Sequence, residues 1–308
     1  MAEIKLQFAW SASRIKTLRE CARKYWYNYF QSWQGWQKNA TKEQKEAYLL
    51  KNLTSFPMYV GTVVHEIIEY AIQTFRSTGK WISLEASKEK TTNLLRQGWL
   101  ESKNQEWKTN AKKINFIEMY YNEMPDKNKL ISYKTKALKC IEAFYKCDLF
   151  KIMSSLQKHQ WISVEQFQKF QMATGEEVSV KLDCSFKNNG KLYIVDFKTG
   201  KPNDNIIEQV VTYSMYALKK KWIEKLEDII IIPAFLSYFE DDPVKAFPII
   251  EINKSQIQQQ VKIIQQEYPL LIKAHDNKNN KELFEMTENL NSCRYCNFRG
   301  ICPGASRQ

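Results

Sequence analysis

The chain has 308 residues, of which 44% are hydrophobic, enough for one large core or two modest ones. Its formal charge of +12 suits a polyanionic partner, with nucleic acid as the leading candidate and a merely lysine-rich surface as the alternative. No apolar run is long enough to span a membrane, the first residues lack the apolar segment of a signal peptide, and the seven unevenly spread cysteines argue against a secreted disulfide framework. We therefore expect a globular cytoplasmic protein.

The predicted elements pass from helices to a sheet and back to helices. Apolar residues at helical spacing predict a first helix over 13–30, with Ser11 or Ser13 as N-cap, and a second helix from Gly61 to Gly79. After a largely helical stretch over 83–156, the pattern predicts strands over 161–169, 178–186 and 191–198, a helix over 205–222, a strand over 228–238, a short strand in the FPIIEI run and a helix over 254–274. This order indicates a mixed α/β core that carries a helical insertion.

A strong hairpin signal, Asn189-Gly190, joins the strands over 178–186 and 191–198. In a type I′ turn at these residues, Asp183 lies opposite Asp196 and shares its face with Lys198. Opposed carboxylates destabilise a sheet, and a cation bound by both relieves their repulsion. The hairpin therefore predicts a metal site, with an acidic pair on a solvated face as the alternative.

Three helical residues are candidates for the same site. His65 lies in the helix that begins at Gly61, where a lone histidine is more often structural. Gln209 and Tyr213 are four residues apart and share one face of the helix that follows Asp196. Taken alone, that pair would be ordinary packing.

Five stretches in a fixed order closely resemble the RecB-like branch of the PD-(D/E)XK nuclease superfamily. They are SASRIKTLRECARKYWYNYF, GTVVHEIIE, KLDCSF, IVDFKTGK and EQVVTYSMYA. The resemblance spans nearly the whole chain, although the helical insertion is not diagnostic, and the GTxxH and DFKTGK runs are specific in combination. It implies an α/β fold of the restriction-endonuclease-like type, a mixed sheet core with flanking helices.

The resemblance also implies a role for each matched position. The metal ligands for Mg²⁺ or Mn²⁺ would be Asp183, Asp196, His65 and the main-chain carbonyl near Phe197. Lys198 would orient or help deprotonate the attacking water and stabilise the phosphate, while Gln209 and Tyr213 would support Lys198 and the nucleic-acid backbone. The sequence departs from many relatives at Lys181, where they carry a small residue. By the hairpin register Lys181 faces Lys198, so it would contact phosphate, perturb Lys198 or mark a bulge in the pairing.

Three cysteines near the carboxy terminus, Cys293, Cys296 and Cys302, follow a C-x2-C-x5-C spacing and suggest a fourth ligand. Cys21 occupies the position where the Fe–S members of the RecB-like branch keep a ligand distant in sequence, as in AddB-type helicase-nucleases and CRISPR-associated exonucleases. The resemblance therefore implies a 4Fe–4S cluster, whereas thiolate chemistry alone also suits zinc. The remaining thiols fit no such spacing and are interpreted as buried or incidental: Cys140, Cys147 and Cys184.

The implied organisation is one nuclease domain over 1–308. Its parts are an amino-terminal helix with the first cluster cysteine in 1–60, a helical insertion over 80–156, a catalytic α/β core over 157–252 and a Cys-ligated Fe–S element over 275–308 that joins the two termini.

The function implied is a metal-dependent DNA nuclease, an exonuclease acting on single-stranded DNA or DNA ends, with a role in repair, CRISPR adaptation, phage replication or antiviral defence. The sequence has no phosphate-binding loop, so a helicase would be a separate partner. The alternatives are a catalytically lapsed nucleic-acid-binding subunit of a larger DNA-processing complex, and RNA as the substrate. Candidate nucleic-acid contacts, with core packing as the alternative for the tryptophans, are Arg23, Lys24, Lys38, Lys181, Trp26, Trp33 and Trp36.

Overall fold

A four-stranded mixed sheet divides two hydrophobic cores in the computed structural model, which describes residues 8–202 and 206–307. The strands, in spatial as well as chain order, are β1 (Trp161–Gln171), β2 (Glu177–Asn188), β3 (Lys191–Lys198) and β4 (Ile229–Phe235). β2 is antiparallel to both β1 and β3, and β4 is parallel to β3. The predicted mixed α/β core is confirmed.

Helices flank the sheet on both sides. The α-helices in the described part of the chain are α1 (Ala12–Glu20), α2 (Ala22–Trp26), α3 (Lys42–Lys51), α4 (Phe56–Thr78), α5 (Leu84–Lys103), α6 (Ile117–Tyr120), α7 (Lys127–Lys146), α8 (Asp148–Ser154), α9 (Ile207–Lys219), α10 (Pro243–Ala246), α11 (Lys254–Asp276) and α12 (Leu290–Arg294). The stretch predicted to be largely helical, 83–156, contains α5 to α8. Among these described helices, none combines the length and the apolar character that crossing a membrane requires.

The first predicted helix, over 13–30, is interrupted at Cys21. Ser11 caps α1 by accepting a hydrogen bond of 3.2 Å from the main-chain N–H of Arg14, as predicted. Cys21 then adopts an extended backbone, with φ −165° and ψ 108°, before α2 begins, and a π-helical turn follows over Tyr27–Gln31. The apolar spacing continues through the interruption, so the sequence pattern did not reveal it.

The second predicted helix, α4, begins at Phe56 rather than at Gly61. Ser55 caps it by accepting a hydrogen bond of 3.3 Å from the main-chain N–H of Met58, and Pro57 occupies its first turn, where a missing N–H costs nothing. The helix ends as predicted at Gly79, whose φ of 73° is the left-handed conformation that glycine adopts without strain.

The prediction of a short strand in the FPIIEI run is wrong. Only Ile250 pairs there, in an isolated bridge whose main-chain N–H donates 2.9 Å to the carbonyl of Ile231. Pro248 has no N–H to extend the pairing, and Ile249 is 64% exposed rather than packed. The run therefore pairs with the edge strand β4 at one point only.

The two faces of the sheet bury different groups of helices. On the α9 side, Leu192 and Ile194 of β3 pack with residues of α1, α9 and α11, whereas on the α4 side Val195 and Phe197 pack with residues of α4 and α7. Along β2 the regular alternation fails, because Leu182 belongs to the α9-side core and Cys184 to the α4-side core. The residue at which the strand changes faces is Asp183.

Candidate functional site

The turn between β2 and β3 has the predicted form. Asn189 and Gly190 have φ values of 48° and 75°, as a type I′ turn requires, and the predicted register holds from the turn to the pair Cys184–Val195. One residue further along β2, the side chain of Asp183 accepts a hydrogen bond of 2.8 Å from the main-chain N–H of Phe197. A carboxylate thus takes the place of a main-chain acceptor at the end of this ladder.

Asp183 shares His65 with Glu165, a carboxylate that the sequence analysis missed. Glu165 lies in β1 opposite Asp183 by the β1–β2 register, and its φ of 49° places a non-glycine residue in the left-handed region. Nδ1 of His65 is 3.3 Å from Oε1 of Glu165 and 3.4 Å from Oδ2 of Asp183. Such a backbone conformation costs on the order of 1–3 kcal/mol, so the contacts around Glu165 must hold it in place.

His65, Glu165 and Asp183 form the candidate metal site. One ligand atom from each residue lies within 4.8 Å of the other two. An imidazole nitrogen with two carboxylate oxygens suits a divalent cation such as Mn²⁺, and carboxylate oxygens are the usual protein ligands of Mg²⁺. The arrangement therefore includes two of the four predicted ligands and adds Glu165 to them.

Lys181 contacts this site through Glu165. Its Nζ lies 2.5 Å from Oε2 of Glu165, and in the sheet it pairs with Phe167 of β1. The β2–β3 ladder described above does not reach Lys181, so it is not paired with Lys198. Lys181 was expected to contact phosphate, to perturb Lys198 or to mark a bulge in the strand pairing. The structure favours the third alternative, with the irregularity located at Asp183.

The charges at the candidate metal site are strongly coupled. Burial lowers the pKa of His65, but hydrogen bonds with Asp183 and Glu165 and the charges of both carboxylates outweigh burial and raise that pKa to about 10. Burial also acts to raise the pKa of Glu165, and hydrogen bonds from His65 and Lys181 outweigh it, so the pKa is lowered. A protonated His65 and Lys181 therefore balance two buried carboxylates, and a divalent cation would supply the same positive charge.

The other predicted catalytic residues form a second group, which we call the Asp196 group: Asp196, Lys198, Gln209 and Tyr213. Nζ of Lys198 lies 2.5 Å from Oδ2 of Asp196. The side chain of Gln209 bridges the pair, because its oxygen accepts from Lys198 and its nitrogen donates to Asp196, both at 3.3 Å. The structure thus brings the predicted D-x-K strand and the predicted Q-x-x-x-Y helix together.

Tyr213 anchors the Asp196 group to β2. Its hydroxyl donates a hydrogen bond of 2.8 Å to the main-chain carbonyl of Lys181 and accepts one from the amide of Gln209. Burial, followed by the charge of Asp196, raises the pKa of Tyr213 well above its usual value, so the hydroxyl keeps its proton for this bond.

Asp196 lies beside the candidate metal site rather than among its three ligand atoms. It is 1% exposed, and burial together with the charge of Asp183 raises its pKa to about 6, while Lys198 and His65 act in the opposite direction. Phe197, whose main-chain carbonyl is a predicted ligand, contributes its N–H to Asp183. Asp183 is therefore the residue that connects the metal site to the Asp196 group.

A cleft of about 810 Å³ opens beside the Asp196 group. Gln209 and Tyr213 line it together with three basic residues, Lys16, Arg19 and Lys181. Arg19 is partly neutralised, because its guanidinium lies 3.5 Å from Glu208 and also contacts Glu267. Lys16 and Lys181 are ion-paired as well, with Glu20 and Glu165, but both side chains are largely exposed, so they are the groups available to contact a phosphate backbone.

The four cysteines of the predicted cluster line a single cavity: Cys21, Cys293, Cys296 and Cys302. Cys21 is placed there by the interruption between α1 and α2. The cavity wall is tight at Gly304, where an added Cβ would lie 3.0 Å from Sδ of Met286 and 3.6 Å from Sγ of Cys302. The three cysteines outside the cluster, Cys140, Cys147 and Cys184, are buried as predicted.

Arg23 and Trp26 fasten the amino-terminal helices to the carboxy-terminal segment. Arg23 is 4% exposed, and its Nε donates 2.8 Å to the main-chain carbonyl of Phe284. Nε1 of Trp26 donates 2.8 Å to the carbonyl of Lys278. Because Arg23 is buried, it is not placed to contact nucleic acid, and that prediction is corrected. Trp26 packs in the protein interior, as the alternative for the tryptophans stated. Lys24 lines the thiol cavity.

Comparison with known proteins gives one match. A family model described as the PD-(D/E)XK nuclease superfamily matches residues 9–303, which include the candidate metal site, the Asp196 group and all four cluster cysteines. No curated protein and no solved structure matches the chain.

Proposed function

Because this chain belongs to the PD-(D/E)XK nuclease superfamily, which indicates a metal-dependent nuclease, we propose that it hydrolyses phosphodiester bonds in DNA, as an exonuclease on single strands or DNA ends. The observation that carries the proposal is the ion pair between Asp196 and Lys198, bridged by Gln209 at the edge of a cleft with basic walls.

A divalent cation fits beside this pair. Asp183 and His65 would hold it with Glu165, and Asp196 and the carbonyl near Phe197 remain predicted ligands. A bound Mg²⁺ or Mn²⁺ would polarise the scissile phosphate and favour deprotonation of the attacking water. The middle of β2, at Asp183, and the end of β3, at Asp196, keep the carboxylates in position for it.

Lys198 has the position of a group that orients a water molecule and stabilises negative charge on the phosphate. Asp196 and the side-chain oxygen of Gln209 hold its ammonium group in a fixed position. A fixed cation stabilises developing charge better than a mobile one, because little reorganisation is needed during the reaction. Tyr213 keeps Gln209 in place from behind.

The alternative function is a catalytically lapsed nucleic-acid-binding subunit of a larger complex. The complete Asp196 group argues against it, since nucleic-acid binding alone has no need for a buried carboxylate paired with a lysine. RNA is a second candidate substrate. Repair, CRISPR adaptation, phage replication and antiviral defence are the processes proposed, with a separate helicase or other DNA-processing protein as a partner.

We further propose that the thiol cavity holds a 4Fe–4S cluster. The donor set fits, because four thiols from distant parts of the chain face one cavity. Zinc remains the alternative occupant of the cavity.

The decisive experiment uses DNA and RNA, single- and double-stranded, labelled separately at the 5′ and 3′ ends. Each substrate is incubated with the purified protein and Mg²⁺ or Mn²⁺, with EDTA as control. We expect stepwise shortening of single-stranded DNA or duplex ends, lost in EDTA and in the Asp196→Asn variant. If no substrate is shortened, the protein is better described as a catalytically lapsed binding subunit. If only RNA is shortened, RNA rather than DNA is the substrate.

A further inference from the structure

A second groove, of about 560 Å³, shares no lining residue with the cleft beside the Asp196 group. It lies between the loop that contains Trp36, the helix α3 and the segment 107–112. Three aromatic side chains face it, those of Trp36, Tyr48 and Trp107. We call it the Trp36 groove.

The Trp36 groove is basic. Four lysines line it, and no aspartate or glutamate does: Lys38, Lys45, Lys108 and Lys112. All four side chains are exposed, and within residues 8–202 and 206–307 none of them forms an ion pair with a carboxylate. The Nζ of Lys45 donates 2.8 Å to the main-chain carbonyl of Lys38, which fixes it at the rim. Four lysines without a counter-charge attract a polyanion.

Trp36 is held at the surface rather than buried. It is 46% exposed, and its ring lies 5.3 Å from Trp33 in an edge-on contact and 5.5 Å from Tyr48. The preceding Gly35 packs directly on α3, where an added Cβ would lie 2.3 Å from the carbonyl oxygen of Gln44. Only glycine allows this approach, which holds the backbone next to Trp36 against α3.

We propose that the Trp36 groove binds single-stranded DNA. An exposed aromatic ring offers a surface on which a base stacks, and the surrounding lysines follow the phosphates. A duplex keeps its bases inside the helix and cannot use Trp36 in this way. The choice of DNA rests on the proposed function, whereas the preference for a single strand rests on the groove itself.

The test measures binding rather than cleavage. Fluorescence anisotropy of a labelled 20-nucleotide DNA is recorded in EDTA, with a gel to verify that the strand stays intact. We expect Trp36→Ala to weaken single-strand affinity about tenfold, Trp36→Phe to retain most of it, and blunt duplex affinity to change little. The double variant Lys108→Gln, Lys112→Gln should also lose affinity. The matched control is Lys187→Gln, an exposed lysine on β2 outside the groove.

Unchanged single-strand affinity in Trp36→Ala would overturn the proposal, as would an equal loss for duplex. A loss confined to a single-stranded RNA of the same sequence would overturn the choice of DNA. The outcome is independent of catalysis, because a protein that binds strands through Trp36 but cleaves none contradicts only the proposed function.

Discussion

Glu165 and Asp183 stand opposite each other on β1 and β2, and their carboxylates approach the same atom, Nδ1 of His65, at 3.3 and 3.4 Å. The two strands meet here at the point where β2 changes faces and Glu165 leaves the extended conformation. Two irregularities in neighbouring strands thus coincide where a pair of carboxylates meets one imidazole.

Glu165→Gln should weaken Mn²⁺ binding by at least tenfold, about 1.4 kcal/mol, because the amide keeps the size of the side chain but removes its charge. The measurement is a titration of Mn²⁺ followed by electron paramagnetic resonance, without any substrate. Glu176→Gln, a half-buried carboxylate near the β1–β2 turn and outside the metal site, is the matched control. Equal Mn²⁺ affinity in both variants would remove Glu165 from the metal site.

The sequence was informative where one short turn determines geometry. Asn189-Gly190 determines the β2–β3 register, so the neighbourhood of Asp183 and Asp196 followed from it. β1 and β2 are joined through residues 172–176, which carry no two-residue turn signal, so their register could not be predicted and Glu165 stayed hidden. A left-handed glutamate inside a strand has no sequence signature either.

Lys198→Met should reduce the rate of DNA cleavage by about 10²–10³-fold, because it removes the fixed positive charge beside the phosphate. DNA affinity should change little, since binding involves many basic residues. Single-turnover cleavage and anisotropy are measured on the same samples. Lys187→Met, at an exposed position on the same strand pair, should cleave at the parental rate. A variant Lys198→Met that cleaves normally would contradict the role given to the Asp196 group.

Arg23→Met should lower the free energy of unfolding by about 2 kcal/mol, because the carbonyl of Phe284 loses a charged hydrogen-bond donor in a buried place. DNA affinity should remain at the parental level. Thermal denaturation and anisotropy distinguish this from Lys16→Met, an exposed lysine in the cleft, for which we expect the opposite pattern. Weakened DNA binding by a stable Arg23→Met protein would restore the original prediction.

Cys21→Ser should bleach the brown colour that we expect of anaerobically purified protein, since thiolate-bound iron absorbs visible light and zinc does not. Thermal stability should fall as well: by analogy with a long disulfide loop, shared ligation between Cys21 and Cys293 stabilises the chain by roughly 5 kcal/mol. Cys147→Ala, at a buried thiol outside the cavity, should keep its colour.

If the parental protein is colourless and contains about one zinc per chain, the four cysteines bind zinc instead of an Fe–S cluster, and the cross-link between the termini still stands. A Cys21→Ser variant with full metal content and an unchanged melting temperature would exclude Cys21 as a ligand.

Because α2 is attached to residues 278–302, its packing can be completed only late in translation. Asp183, Asp196 and Lys198 leave the ribosome before Phe284 and Cys293 exist, so the nascent chain holds its catalytic groups while α2 still lacks the carbonyl that binds Arg23 and three of the four cavity thiols. Trp10, next to α1, likewise waits for Glu267, which accepts its indole N–H at 2.8 Å. The wall of the cleft that α1 supplies is therefore secured only after the catalytic strands have been synthesised, and a prematurely terminated chain would carry the reactive residues without that support.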